Sequence, residues 1–570
     1  MKFPRIARVM PSWKSALLAV ISAILLILAF PDFEYWFLAW FALVPLLVAI
    51  EREKESSPRS FALGWLWGVV FFFGTCWWLT YAPIHYAAFP WPLAYFLLFW
   101  VVAVAAVFPG LFAAITSVLL RRFGAWAFLV VPFVWVATEF ARFWITGNNW
   151  NAIGYSQFTN SKIASYSAYG GIELVGFTVA AQNIVLGALL LGALAMYGSI
   201  TRKFFSNIKS IRNNRPTVDI FETAYDNKYN GLARNLVIGF LLLSLINILW
   251  QNVSEFLIPV GGHVATKAAM AGDVIAIQPN VPMSSLDSGR WAELRDRQVE
   301  LAEKILSERN EEGKSEKGKG STTVILPESP MNYQWDEDPE FQRFIGAFAA
   351  RNNVSVLFNS AEPDPENHKY FNSAVMIDPT GREVAEYDKI YLLPFGEAVP
   401  VPLDSVLPGF VGNFSYGKNY NLVPLGDAKA GIMICFESHF GQLSREYVRR
   451  GADAIIEMTN DGYLGPTPVL RQHLANAVFR AIETNRPVLR VTNVGITAYI
   501  TERGEVLDAT QPYTEDTRVW SVANSDGSQT FYVMYGDWFA WLCTGITAVL
   551  LVLGLIRRPS DISNITSSGT

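Results

Sequence analysis

Eight apolar stretches constrain this 570-residue chain more than any other feature: about 14–31, 36–50, 61–82, 92–120, 125–145, 172–197, 234–255 and 537–556. Most approach the roughly 20 residues a helix needs to cross about 30 Å of hydrocarbon, where the backbone must satisfy its own hydrogen bonds. Hydrophobic residues make up 51% of the chain and charged ones only 17%, too apolar for an ordinary soluble protein of this length. Lys2, Arg5, Arg8 and Lys14 flank the first stretch as they would in a secretory leader. No Ala-x-Ala-like cleavage site ends it and a second apolar stretch follows at once, so an uncleaved first span is expected.

Lys and Arg collect in loops kept in the cytoplasm, and their distribution orients the set. Arg52, Lys54 and Arg59 follow the second stretch, Arg121 and Arg122 the fourth, Arg202, Lys203, Lys209, Arg212 and Arg215 the sixth, and Arg557 and Arg558 the eighth. The intervening "PDFEY" and "YAPIHYAAFPWP" carry none. The expectation is a cytoplasmic amino terminus and seven spans over 1–257, a polar domain outside the cytoplasm over 258–530, and an eighth span with a cytoplasmic tail over 531–570. Within the spans, Glu139 and Arg142 of "WVATEFARFW" stand three apart, on one helical face. They are either a functional pair or a mutually satisfied one near the outer interface.

A net charge of -5 gives no broad basic field, which argues against a nucleic-acid partner. The three cysteines, Cys76, Cys435 and Cys543, form neither a disulfide framework nor a metal-ligand spacing, so no metal or cofactor is expected.

Between 258 and 530 the pattern changes. "DVIAIQPN", "TTVILPES", "VSVLFNS", "NSAVMIDP", "AGIMICFES", "ADAIIEMTN" and "RPVLRVTNV" read as strands, and 289–309, 339–352, 440–450 and 467–485 as helices. Strand-helix alternation predicts an α/β layered domain with buried sheets. The charged "RNEEGKSEKGKGS" reads as a loop and 203–233 as a cytoplasmic linker.

In such layered folds, sites gather at the carboxyl ends of strands. Three segments there carry reactive groups: Glu328 after "TVIL", Lys389 in "YDKIYLLPFGE" and Cys435 after "GIMI". A free thiol ionises near about pH 8.5, so a nucleophilic Cys435 needs a neighbouring base or cation. Glu328 is suited to the proton, and Lys389 with the Phe436 backbone N–H to a developing oxyanion. Each residue also has a plainer reading. A cysteine in an apolar strand is more often a small buried hydrophobe, and a Glu after a strand or a Lys in a turn is more often solvated. His439, four residues after Cys435, offers a papain-like Cys–His alternative, for which no orienting third residue is apparent.

In combination, "LPES", "YDKIYLLPFGEAVP" and "GIMICFES" resemble the nitrilase (carbon-nitrogen hydrolase) superfamily over about 260–525. The resemblance implies an α-β-β-α sandwich with Glu328 as general base and acid, Lys389 as charge stabiliser and Cys435 as nucleophile. Glu397 matches a second glutamate beside the triad, and Glu437 is a supporting residue or a structural one. The sandwich placed between a seventh and an eighth span is similar to the bacterial apolipoprotein N-acyltransferases, as are "TGNNWNAIGYSQ" and "NDGYLGPTPVLRQHLANAVFRAIETNRPVLRVTNVGITAYI". Tyr463 stands where that family commonly has a Trp, which implies an aromatic lipid-gripping loop. "IQPNVPMSSLDSG" lacks the Trp often found there.

That resemblance implies a ping-pong acyl transfer from a phospholipid such as phosphatidylethanolamine, through a thioester on Cys435, to the α-amine of a diacylated apolipoprotein. It implies a monomer in the bacterial inner membrane, among membrane lipids, with its catalytic domain on the periplasmic side. A membrane-tethered amidohydrolase shares the triad. A transporter or receptor with a ligand-binding sandwich is the rival from another class.

Overall fold

The computed structural model describes residues 9–187, 189, 270–284, 287–311, 321–328, 330–399 and 414–556. The apolar stretch at 234–255, the linker at 203–233 and most of the charged loop, 312–320, lie outside the described residues.

The polar region folds as two six-stranded sheets. One contains β1 (Met270–Gln278), β2 (Ser321–Ile325), β3 (Ser355–Asp364), β4 (Lys369–Ile377), β5 (Glu383–Asp388) and β12 (Asp516–Ala523), in the order β12-β1-β2-β3-β4-β5. The other contains β6 (Leu422–Leu425), β7 (Ala428–Ile434), β8 (Ala454–Thr459), β9 (Val488–Thr492), β10 (Ala498–Ile500) and β11 (Val506–Leu507), in the order β11-β10-β9-β8-β7-β6. The central strands β1-β2-β3 and β7-β8-β9 are parallel, so both faces need cover. Successive residues serve the two faces. Val274 and Ala276 join Ile432 and Ile434 between the sheets, while Ile275 and Ile277 join Phe341, Ile345 and Phe348 beneath helices Ser288–Glu311 and Pro339–Asn352. Helices Gly441–Arg449 and Val469–Thr484 cover the second sheet, which completes the α-β-β-α sandwich.

Gly431 in β7 has a packing reason. A Cβ there would lie 2.2 Å from the Tyr447 ring, whose hydroxyl donates to Ile432 O at 2.6 Å.

Helix Val469–Thr484 is unusual in burying every residue but Arg471. A helix buried all round is normally apolar all round, yet this one carries Gln472, His473, Asn476, Arg480 and Glu483. It lies between the second sheet and the apolar half of the chain, and its polar side chains find partners in both.

That apolar half contains, among the described residues, four helices long and apolar enough to cross a membrane: Ser57–His85, Trp91–Phe123, Ser167–Gly187 and Trp538–Leu555. Three other expected spans fold shorter. The first is the 15-residue helix Trp13–Ile27; 36–50 becomes a short turn of helix at Trp36–Trp40 followed by Val44–Glu53; 125–145 yields Val131–Thr146, 16 residues. Phe41 and Val130, each at a break between helical segments, end the regular turn there, and neighbouring helices cover the short pieces. Small residues allow close approach, as at Gly64, where a Cβ would meet Pro109 O at 2.1 Å.

Candidate active site

Cys435 follows β7 directly and turns the chain from strand into the short helix Cys435–His439. Its φ of 52° is a left-handed conformation uncommon for a residue with a Cβ, which sets the side chain apart from the strand it ends. Lys389 follows β5 in the same way, and Glu328 lies three residues beyond β2. The carboxyl ends of three strands thus bring the expected Glu, Lys and Cys together.

Lys389 Nζ lies 2.8 Å from Glu397 Oε1 and 3.7 Å from Glu328 Oε1, and only 1% of its side chain is exposed. Asn372 Nδ2 donates to both carboxylates, at 3.1 Å to Glu328 and 2.7 Å to Glu397. The Asn460 N–H fixes the other oxygen of Glu328 at 3.0 Å, and the Leu393 N–H that of Glu397 at 2.7 Å. Each carboxylate is therefore held in one orientation.

Burial pushes the Cys435 thiol well above its usual range, and the Glu328 charge adds to this while Lys389 opposes it. Burial also raises Glu328, against the pull of Lys389. For Lys389, burial disfavours the cation, but Glu397 and Glu328 outweigh it and keep the amine charged. The resting arrangement is a neutral thiol beside a carboxylate of raised basicity and a fixed cation, a set able to pass the thiol proton to Glu328 as a substrate arrives.

Glu437 does not join the reactive groups. One of its oxygens accepts from Tyr387 Oη at 2.8 Å, Ile390 N at 2.7 Å and Tyr391 N at 3.0 Å, and the other from Ile434 N at 2.9 Å. It ties the Lys389 segment to the Cys435 turn from beneath, and burial raises its pKa to about 7. The Phe436 side chain is buried against His439, so only its backbone is placed for chemistry. Tyr463 is half exposed on the turn Asp461–Leu464, edge-on to Tyr86 of the membrane half with ring centres 6.1 Å apart.

His439 is excluded as a base. Its Nε2 accepts the Asn149 N–H at 2.8 Å, which commits the lone pair of the neutral ring, and burial holds its pKa well below the usual value. Glu139 and Arg142 do not pair directly in a short ion pair. Glu139 accepts from Ile153 N at 2.9 Å, and Arg142 donates to Trp150 O at 3.0 Å and Asn149 Oδ1 at 3.2 Å. Both order the 149–153 segment that reaches His439.

Sequence reasoning missed a buried polar tier behind Cys435. His473 lies 3.0 Å from Cys435 O and 2.6 Å from Asp461 Oδ1; Arg490 contacts Glu457 at 2.5 Å and Asp461 at 2.9 Å. A usable signal was present: "AIIEMT" and "VLRVT" each carry one charge of opposite sign in an apolar strand, and the register pairs Glu457 with Arg490. Gln472 was also missed. Its Oε1 accepts from Trp150 Nε1 at 2.8 Å and Trp78 Nε1 at 3.1 Å, and its amide donates to Thr75 O at 3.0 Å.

Residues 22–185 match the family model of the apolipoprotein N-acyltransferase N-terminal domain, and residues 284–530 match that of carbon-nitrogen hydrolases. An apolipoprotein N-acyltransferase of Geobacter metallireducens is 30% identical over 553 residues, 95% of each chain. The chain belongs to the apolipoprotein N-acyltransferase family. Relatives of the same name from Pasteurella multocida and Thermotoga maritima are each 27% identical, across 95% of this chain and 96% and 94% of theirs. The family's hydrolase-like part holds Glu328, Lys389, Glu397 and Cys435, and its amino-terminal part holds Glu139 and Arg142.

Proposed function

We propose that this chain transfers a fatty acyl chain from a membrane phospholipid, through a thioester on Cys435, to the α-amine of the amino-terminal diacylglyceryl-cysteine of apolipoproteins. Phosphatidylethanolamine is the proposed donor. The enzyme works as a monomer in the bacterial inner membrane, with the sandwich on the periplasmic side. The observation that carries the residue roles is the buried Lys389 lying between two oriented carboxylates at the strand end next to Cys435.

In the first half reaction Glu328 takes the thiol proton and Cys435 Sγ attacks the ester carbon. Lys389 and the Phe436 N–H stabilise the oxyanion. The ester C–O bond breaks, Glu328 returns its proton to the departing lysophospholipid alkoxide, and the thioester remains. In the second, the neutral α-amine attacks the thioester and Glu328 accepts an amine proton. The C–S bond breaks, Glu328 hands that proton to the thiolate, and the amide leaves. Tyr463, half exposed beside Tyr86, borders the route by which acyl chains enter.

Family membership and the apolar half weigh against a membrane-tethered amidohydrolase, which would need neither insoluble substrate beside it. The test is intact-peptide mass spectrometry of Cys435 after incubation of the detergent-purified protein with phosphatidylethanolamine. A fatty-acyl increment that is removed by hydroxylamine and by a diacylglyceryl-cysteine peptide, and is absent in Cys435→Ala, supports the mechanism. An unmodified Cys435 in folded protein overturns it.

A further inference from the structure

Cys435 C=O and the Phe436 N–H belong to one planar trans peptide unit, so they point in opposite directions. His473 occupies the carbonyl side. Its Nε2 lies 3.0 Å from Cys435 O and its Nδ1 2.6 Å from Asp461 Oδ1. A carbonyl only accepts, and Asp461 is kept ionised by Arg490 Nη2 at 2.9 Å. Both ring nitrogens therefore carry hydrogen, and His473 is an imidazolium. Glu457 lies 3.2 Å from Nε2 and 2.5 Å from Arg490 Nη1, so two carboxylates and two cations form a neutral buried set around the carbonyl. The Trp150 ring centre lies 5.9 Å from that of His473, and His439 feels the His473 charge.

We infer that His473 is a positioning residue: by holding Cys435 O, its imidazolium locks the Cys435–Phe436 peptide so that the Phe436 N–H faces the oxyanion formed during acyl transfer. The inference rests on Cys435 being the nucleophile. Cys435 is already in the left-handed region, and rotation of the peptide that follows it would turn a carbonyl, rather than an N–H, toward the negative oxygen. A cation on the carbonyl also polarises the amide and strengthens its N–H as a donor.

Iodoacetamide separates positioning of the peptide from positioning of the thiol. It alkylates Cys435 by substitution at a saturated carbon and forms no oxyanion, whereas a p-nitrophenyl fatty ester or phosphatidylethanolamine must form one. The rates of both modifications of the Cys435 peptide are measured in full-length protein in detergent. In His473→Leu the acylation rate is expected to fall about 100-fold, the usual effect of losing one oxyanion donor, with alkylation unchanged. His473→Gln retains a neutral donor and is expected to fall in between. Acylation and alkylation falling together mark a merely structural residue and overturn the inference, as does acylation unaffected in His473→Leu. If the leucine variant does not fold, the ratio of acylation to alkylation in His473→Gln decides: a lowered ratio supports the inference and an unchanged one overturns it. If wild-type Cys435 is alkylated but never acylated, the nucleophile reading itself has failed, and the inference with it.

Discussion

Lys389 holds its Nζ 2.8 Å from Glu397 Oε1, closer than the 3.7 Å that separates it from Glu328 Oε1. Glu397 thereby keeps the cation from collapsing onto the proposed base. Without that charge, Lys389 would turn wholly toward Glu328 and reduce its basicity. Glu397→Gln is expected to slow thioester formation by about 10- to 100-fold in single-turnover measurements, while the protein stays folded. A rate equal to wild type would show that Glu328 needs no such protection.

The proton carrier should be visible in the pH dependence of thiol labelling. Burial raises Glu328, so its carboxylate form appears only above the ordinary value of about 4.3. Alkylation of Cys435 should therefore rise with pH along a limb set by Glu328, and fall as that group is protonated. In Glu328→Gln the limb should disappear, and labelling should begin only as the buried thiol ionises, above its ordinary value of about 8.5.

His473 links stability to pH in the opposite sense. Burial disfavours its charge, but Asp461 more than compensates and lifts it to about 9. A raised histidine contributes fully below its unfolded value of about 6.5, and the contribution is lost as pH rises through the folded value. Asp461 and Glu457 are lowered from their usual values despite burial and stay ionised across that window. The melting temperature of the detergent-solubilised protein should fall more steeply from about pH 6.5 to 9 in wild type than in His473→Gln.

Gln472 accepts two buried indole N–H groups, from Trp78 and Trp150. Trp78 Nε1 also donates to Thr75 O at 2.9 Å, so Gln472→Leu would strand the Trp150 indole, at about 1–3 kcal/mol for an unsatisfied buried donor. A clear drop in melting temperature by tryptophan fluorescence is expected. Equal melting for Leu and wild type would mean that the Trp150 indole finds another partner.

Much of the sandwich was legible because its central strands are buried on both faces. "VSVLFNS" and "NSAVMIDP" announce β3 and β4, and the expected helix at 339–352 matches Pro339–Asn352, which Asp338 caps. The strands that escaped notice, β5, β6, β10, β11 and β12, are short or lie toward sheet edges, where burial is incomplete and the apolar pattern is diluted. Glu328 and Cys435 stood out because each follows a recognisable strand end, whereas Lys389 follows the unnoticed β5 and was marked by the segment "YDKIYLLPFGE" alone. His473 did not stand out, since a histidine on a helix reveals nothing of what the next layer sets against it. The short membrane helices were hidden for a related reason: hydropathy reports what a stretch tolerates and carries no mark of where the regular turn stops, here at Phe41 and Val130.

The contact between Asn149 and His439 bears on how such proteins can diverge. The turn that presents the thiol is buttressed by a loop of the apolar half, so the sandwich is not an independent catalyst carried on an anchor. Chimeras that exchange whole sandwiches between relatives should work poorly unless the 149–153 loop travels with them. The two halves would then have diversified as a single inherited unit, and fusion events that graft the sandwich onto other anchors would be selected against.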